Sequence, residues 1–259
     1  MRRASRFRLL ALASIAAAAC FAAERAAAAS RQIVVEHEAQ SGVAKPAGKN
    51  GIALLIVFAN GYGDQLPGVI RDANALAEGL RAKGVQNLLI FGTDKSVLEE
   101  TQAKIRQRAS SVPGTRLVYA TGFGLCLDGD LVLLGEDMTL AQFNKKNYAP
   151  VAMSLSKIAE AASSPTDKTV LVFDTNPATC TDKLLADLKL PAGTSLMVTT
   201  GIGGAVADTI TESGRDAFVT ALLQSYDPAR PLAETLKAVA EGIESLTSKD
   251  QVPILIGSP

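Results

Sequence analysis

Eight successive apolar residues, Ile52-Ala53-Leu54-Leu55-Ile56-Val57-Phe58-Ala59, set the tightest limit on what this chain can fold into. A strand with one wet face alternates apolar and polar side chains. An unbroken run of strand length has to be covered on both faces, as parallel strands between helical layers are. The next patterned stretch has the helical period: from Asp72 to Lys83, Ala73, Leu76, Ala77 and Leu80 fall on one face, and Gly84 ends the segment.

The two patterns keep alternating along the chain. Strands are expected at 85–91, 117–120, 169–173, 195–200 and 251–256, and helices at 94–108, 153–162, 181–188, 214–226 and 232–246. Leu125 to Leu134, broken at Asp128-Gly129-Asp130, reads as a hairpin with a tight turn. Strands that alternate with helices predict an α/β domain with a mostly parallel sheet between helical layers. An apolar fraction of 47% supplies a core for one domain over residues 51–259.

The N-terminus is patterned differently. Arg2, Arg3, Arg6 and Arg8 precede an apolar stretch from Leu9 to about Ala19, and small residues run to Ala29 before Ser30. These are the three parts of an export signal, so residues 1–29 are expected to be a signal peptide cleaved near Ala29. The apolar stretch is too short and too rich in alanine for a stable membrane span. Cys20 after Ala17-Ala18-Ala19 leaves lipoprotein attachment as a second reading. Residues 30–50 are polar and aperiodic, with Gly42, Pro46 and Gly48, and read as a flexible linker.

Charge narrows the partners. Without the first 29 residues the chain has 21 basic and 25 acidic residues, a net charge of −4, which gives no electrostatic grip on nucleic acid or an anionic membrane surface. Gly201-Ile202-Gly203-Gly204 follows a strand, but Val206 stands where a dinucleotide fingerprint has its third glycine. With no phosphate-loop lysine motif and no Cys/His metal spacing, neither a cofactor nor a structural metal is expected. Asp128, Asp130, Glu136 and Asp137 around the hairpin read as solvated turn acids.

Several short segments, in order, resemble the caspase-like peptidases, in particular bacterial metacaspase and orthocaspase relatives. Ala53-Leu54-Leu55-Ile56, Asn60-Gly61-Tyr62 and Leu66-Pro67-Gly68-Val69-Ile70-Arg71-Asp72-Ala73 resemble the family's opening strand, loop and first helix. Gly122-Phe123-Gly124 through Asp128-Gly129 to Leu133-Leu134 and Asp137 is similar to its histidine loop and hairpin, and Phe173-Asp174-Thr175-Asn176 to its cysteine strand. Gly214-Arg215-Asp216-Ala217-Phe218-Val219-Thr220-Ala221-Leu222-Leu223 and Gln251-Val252-Pro253 resemble its small-subunit portion. The resemblance implies a caspase-haemoglobinase fold with a mostly parallel six-stranded sheet. Residues 51–190 then form a large-subunit-like part and 191–259 a small-subunit-like part.

It also implies where the chemistry stood. Phe123 falls at the family's histidine position and Asn176 at its cysteine position, and neither supplies a proton-transferring imidazole or a thiolate. The one histidine, His37, lies in the expected linker. Asp174 matches an acid that helps form a pocket for arginine or lysine in metacaspase-type relatives. It therefore reads either as a retained partner for a cationic side chain or as a brace for its own loop. Leu66 sits where caspases place an arginine that recognises aspartate, which argues against aspartate specificity.

Phe123 reads as packing or as an apolar ligand contact. Cys126 and Cys180 are the cysteines left after removal of a signal peptide; they read as buried thiols or, if the family layout brings their loops together, as a disulfide. The function expected is an exported, non-catalytic pseudopeptidase that binds a peptide or protein with basic side chains. The alternative is an active cysteine endopeptidase cleaving after arginine or lysine with a non-standard nucleophile such as Cys180.

Overall fold

The computed structural model describes residues 35–37, 51–59, 67–85, 87–91, 98–135, 145–149, 152–164, 166–175, 180–200 and 214–257. Its strands, in chain order, are β1 (Val35–His37), β2 (Ile52–Ala59), β3 (Asn87–Phe91), β4 (Thr115–Thr121), β5 (Gly124–Leu127), β6 (Asp130–Leu134), β7 (Ala152–Ser154), β8 (Thr169–Asp174), β9 (Thr194–Val198) and β10 (Ile254–Ile256). The helices are α1 (Pro67–Ala82), α2 (Leu98–Ser111), α3 (Leu155–Ala162), α4 (Asp182–Ala186), α5 (Ala217–Ser225) and α6 (Leu232–Leu246).

The main sheet has the order β1-β3-β2-β4-β8-β9-β10. Its five inner strands are parallel, with Val57 opposite Ile90 and Tyr119, Thr121 opposite Asp174, and Phe173 opposite Val198. The edge strands β1 and β10 are antiparallel. β2 is buried along almost its whole length, as its uninterrupted apolar run requires.

Successive side chains on each strand go to opposite faces. Leu54, Ile56, Phe58, Val118, Ala120, Leu171, Phe173, Leu196 and Val198 pack with Ile105 and Ala109 of α2, Leu155 and Ile158 of α3, and Leu185 of α4. The alternate residues face α1, α5 and α6. Phe218 of α5 stacks on the Tyr119 ring, with centroids 5.2 Å apart. α1 lies so close to α5 that a Cβ at Gly79 would come within 2.4 Å of the Leu223 side chain.

A second sheet, β5-β6-β7, stands at the C-terminal end of β4. Asp128 (φ 51°) and Gly129 (φ 84°) make the two-residue turn between β5 and β6, both with the positive φ that such hairpins need. The Ser154 and Ser156 hydroxyls donate to the Asp130 carboxylate, which ties the hairpin to the start of α3.

Two expectations need correction. The segment 30–50 is not linker throughout: Val35–His37 forms β1, and it makes the sheet seven-stranded instead of six-stranded. The outer edge of β3 offers a row of backbone donors and acceptors that an adjacent segment can satisfy, and three residues are too few to show a period in the sequence. The expected signal peptide (1–29) and the rest of 30–50 lie outside the described residues. Among the described residues no helix is long and apolar enough to cross a membrane.

Candidate functional site

β4, β8 and β9 bring three polar side chains to the α1/α5/α6 face of the sheet at its C-terminal edge. Asp174 ends β8 and is 2% exposed. Tyr119 is on the adjacent strand, two positions lower on the same face; its ring runs along the strand and its hydroxyl donates to Asp174 Oδ2 at 2.7 Å. Thr199, just past β9, donates its hydroxyl to Asp174 Oδ1. Both oxygens of the carboxylate are thus already held.

Two more acids come from the helical layer. Asp216 is the N-cap of α5: its Oδ1 accepts the backbone N–H groups of Phe218 (2.7 Å) and Val219 (3.1 Å). Its Oδ2 is buried and has no hydrogen-bond partner among the described residues. Asp72, from α1, is likewise buried. Arg71 Nε lies 3.8 Å from Asp72 Oδ1, but the arginine is more than half exposed, so solvent screens that attraction.

Burial, then the charge of Asp174, holds the Asp216 carboxyl well above the usual carboxylate range. Burial raises Asp174 too, against the opposing pull of the Thr199 and Tyr119 hydroxyls. Burial and the neighbouring carboxylates keep Tyr119 a phenol, far above its ordinary value. The cluster carries net negative charge, and neither Asp174 nor Asp216 makes an ion pair among the described residues. The cluster has the charge to hold an ammonium or guanidinium.

The opposite side of the same edge is apolar and cross-linked. Phe123 is half-buried and packs against Leu125, Val132 and Leu134 of the small sheet, and its carbonyl accepts the Leu134 N–H at 2.8 Å. A Cβ at Gly124 would lie 2.4 Å from the Phe173 ring and 2.5 Å from Thr175 Oγ1, so only glycine lets β5 approach the end of β8 this closely. Cys126 of β5 and Cys180, just before α4, form a disulfide with Cα atoms 5.1 Å apart.

Of the residues singled out in the sequence, Asp174, Phe123, Cys126 and Cys180 thus gather at one end of the sheet, on two different faces. Asn176, Leu66 and the Gly201–Gly204 segment lie outside the described residues. His37 is on β1, separated from β8 by three intervening strands, a span of roughly 19 Å at the usual strand spacing. It is not brought to Cys180. Sequence reasoning missed the roles of Tyr119, Thr199 and Asp216. Only Asp216 carried a local signal, an aspartate directly before an apolar helical run. Placing the helix start at Gly214 hid it; the helix begins at Ala217, because Asp216 is the cap.

No protein-family model matches the chain, and no curated relative does. Solved structures do. The structure of pro-sf-caspase-1 is similar over 84% of this chain and 97% of its own, with a TM-score of 0.53 at 16% identity. The crystal structure of caspase-1 from Spodoptera frugiperda is similar over 88% of this chain and 94% of its own, with a TM-score of 0.50 at 15% identity. This chain therefore has a caspase-like fold: a central, mostly parallel sheet between helices, with the carboxylate cluster and the disulfide at the C-terminal edge of that sheet.

Proposed function

We propose that this chain is an exported, non-catalytic relative of the caspase-like peptidases that binds a peptide or protein segment through one arginine or lysine side chain. The reading rests on one observation above all: Asp174, with Asp216 and Asp72 beside it, makes a buried anionic cluster at the C-terminal end of β8. That is the edge at which open α/β sheets take their ligands. Loss of catalysis is supported by the phenylalanine at position 123, by a single histidine on the far side of the sheet, and by the bonding of Cys126 to Cys180.

Two measurements test it. N-acetyl-arginine amide should bind the mature protein, its uncharged isostere N-acetyl-citrulline amide should not, and Asp174→Asn should weaken arginine binding by about 10- to 100-fold, the worth of a charge-assisted hydrogen-bonded pair. Arginine and lysine peptide substrates should not be hydrolysed, before or after reduction of the disulfide. Turnover that appears on reduction and disappears in Cys180→Ala would overturn the non-catalytic reading in favour of an endopeptidase.

A further inference from the structure

At the N-terminal end of β2, the C-terminal ends of α1 and α5 leave an open cavity of about 590 Å³ between them, lined in part by Lys83, Gln224, Ser225, Tyr226, Asp227 and Arg230. That volume is enough for a small organic molecule. Its floor is tightly held. The Tyr226 hydroxyl accepts the Ile52 N–H at 2.9 Å, and a Cβ at Gly51 would come within 3.1 Å of that hydroxyl and 3.3 Å of the Pro228 carbonyl oxygen. Lys83, just past α1, donates from Nζ to the Tyr226 carbonyl at 2.9 Å. That bond fixes the ammonium at the wall and leaves its other N–H groups for a ligand.

The turn after α5 adds charge of both signs. Asp227 Oδ1 accepts the Ala229 N–H at 2.8 Å, and the Asp227 carbonyl accepts the Arg230 N–H at 3.0 Å, so the turn itself places the carboxylate and the guanidinium on the cavity. Among the described residues neither Lys83 nor Arg230 forms an ion pair. Two cations therefore share the cavity with one carboxylate, and the ends of α1 and α5 add partial negative charge, about half a unit each. The charges nearly balance without being paired. A simple anion or a simple cation answers only one of the two signs.

We infer that this cavity binds a small zwitterion, an amino acid or a short peptide with free chain ends. Arg230 and Lys83 take the carboxylate; Asp227 and the helix-end carbonyls take the ammonium. The site is independent of the carboxylate cluster at the opposite edge of the sheet. Nuclear magnetic resonance titrations of the protein with alanine and with alanyl-alanine test it. At least one should bind with a dissociation constant of about 1 mM or below and shift the amide signals of Lys83, Ser225 and Arg230; the tighter of the two tells amino acid from peptide. Of that ligand, the amide lacks the carboxylate and the N-acetyl form lacks the ammonium, and each should bind about 3- to 10-fold more weakly. Arg230→Gln should weaken binding by about 10-fold and Asp227→Asn by about threefold. Arg230 is exposed and asparagine can still accept the Ala229 N–H, so both variants should keep the wild-type melting temperature. Absence of binding by both probes at about 10 mM, binding that Arg230→Gln leaves unchanged, or equal affinity for the free and blocked forms would overturn the inference.

Discussion

The two ends of the parallel sheet treat a carboxylate in opposite ways. At the N-terminal end Asp167, ahead of β8, faces Arg116 of β4 at 3.2 Å and accepts the Gly114 N–H at 3.0 Å. Burial works against its charge, but the Gly114 amide and the guanidinium outweigh it and hold the carboxyl below the ordinary carboxylate value. At the C-terminal end Asp174 and Asp216 meet hydroxyls, amides and each other, and both are raised. Asp167 carries its cation in the fold. Asp174 and Asp216 make no ion pair among the described residues.

The largest effect should come from breaking the satisfied end. Arg116 is 1% exposed, and Asp167→Ala leaves its guanidinium buried with only the carbonyls of Ala109 and Val112 as partners. Removing one member of a buried pair costs about 3–5 kcal/mol, and because Asp167 itself is partly exposed the lower figure applies, read as a fall in the denaturation midpoint. Asp174→Asn at the other end should cost far less. An equal loss at both ends would mean that the C-terminal acids are structural too.

A second, somewhat smaller effect sharpens what does hold the C-terminal end. There the fastening is covalent and apolar, through Cys126–Cys180 and the contact of Gly124 with Phe173. The bridge spans 54 residues of sequence, and closing a loop of that length restricts the unfolded chain by about 4 kcal/mol in the entropic account, an upper figure in practice. Reduction, or the double substitution to alanine, should lower stability by about 2–4 kcal/mol. Gly124→Ala should cost about 1–3 kcal/mol by overpacking against Phe173, with the disulfide intact.

Legibility in the sequence tracks the range of the interactions. β2 and α6 could be placed from local pattern, because burial on both faces or on one helical face writes a period into neighbouring residues. β1 could not, since a three-residue edge strand is defined by its partner and not by its own pattern. The hairpin turn could, because Asp128-Gly129 must both take positive φ. The cluster joins residues 72, 119, 174, 199 and 216, five positions from five segments, and no spacing rule links them. Resemblance pointed to Asp174 alone; its neighbours became visible only when the register set Tyr119 beside it and the cap of α5 set Asp216 against it.

The smallest effects carry the sign that separates the two ends. A carboxyl held low in the folded state, as Asp167 is, adds stability that is present above the ordinary carboxylate value and is lost as pH falls through the folded value. A carboxyl held high, as Asp216 is, binds its proton more tightly folded than unfolded; its contribution is complete in acid and declines as pH rises from the ordinary value through the raised one. In that window the slope of unfolding free energy has a negative component of up to about 1.4 kcal/mol per pH unit from this group.

Asp216→Asn mimics the uncharged side chain, and its carbonyl can still cap α5. The variant should remove that component and be about as stable as the wild type in acid and more stable at neutral pH. Asp216→Ala should instead lose the cap and cost about 1 kcal/mol at every pH. Urea titrations of the three proteins across this range decide the matter. An Asp216→Asn variant whose stability follows the wild type in parallel at every pH would place the proton elsewhere and dissolve the contrast between the two ends.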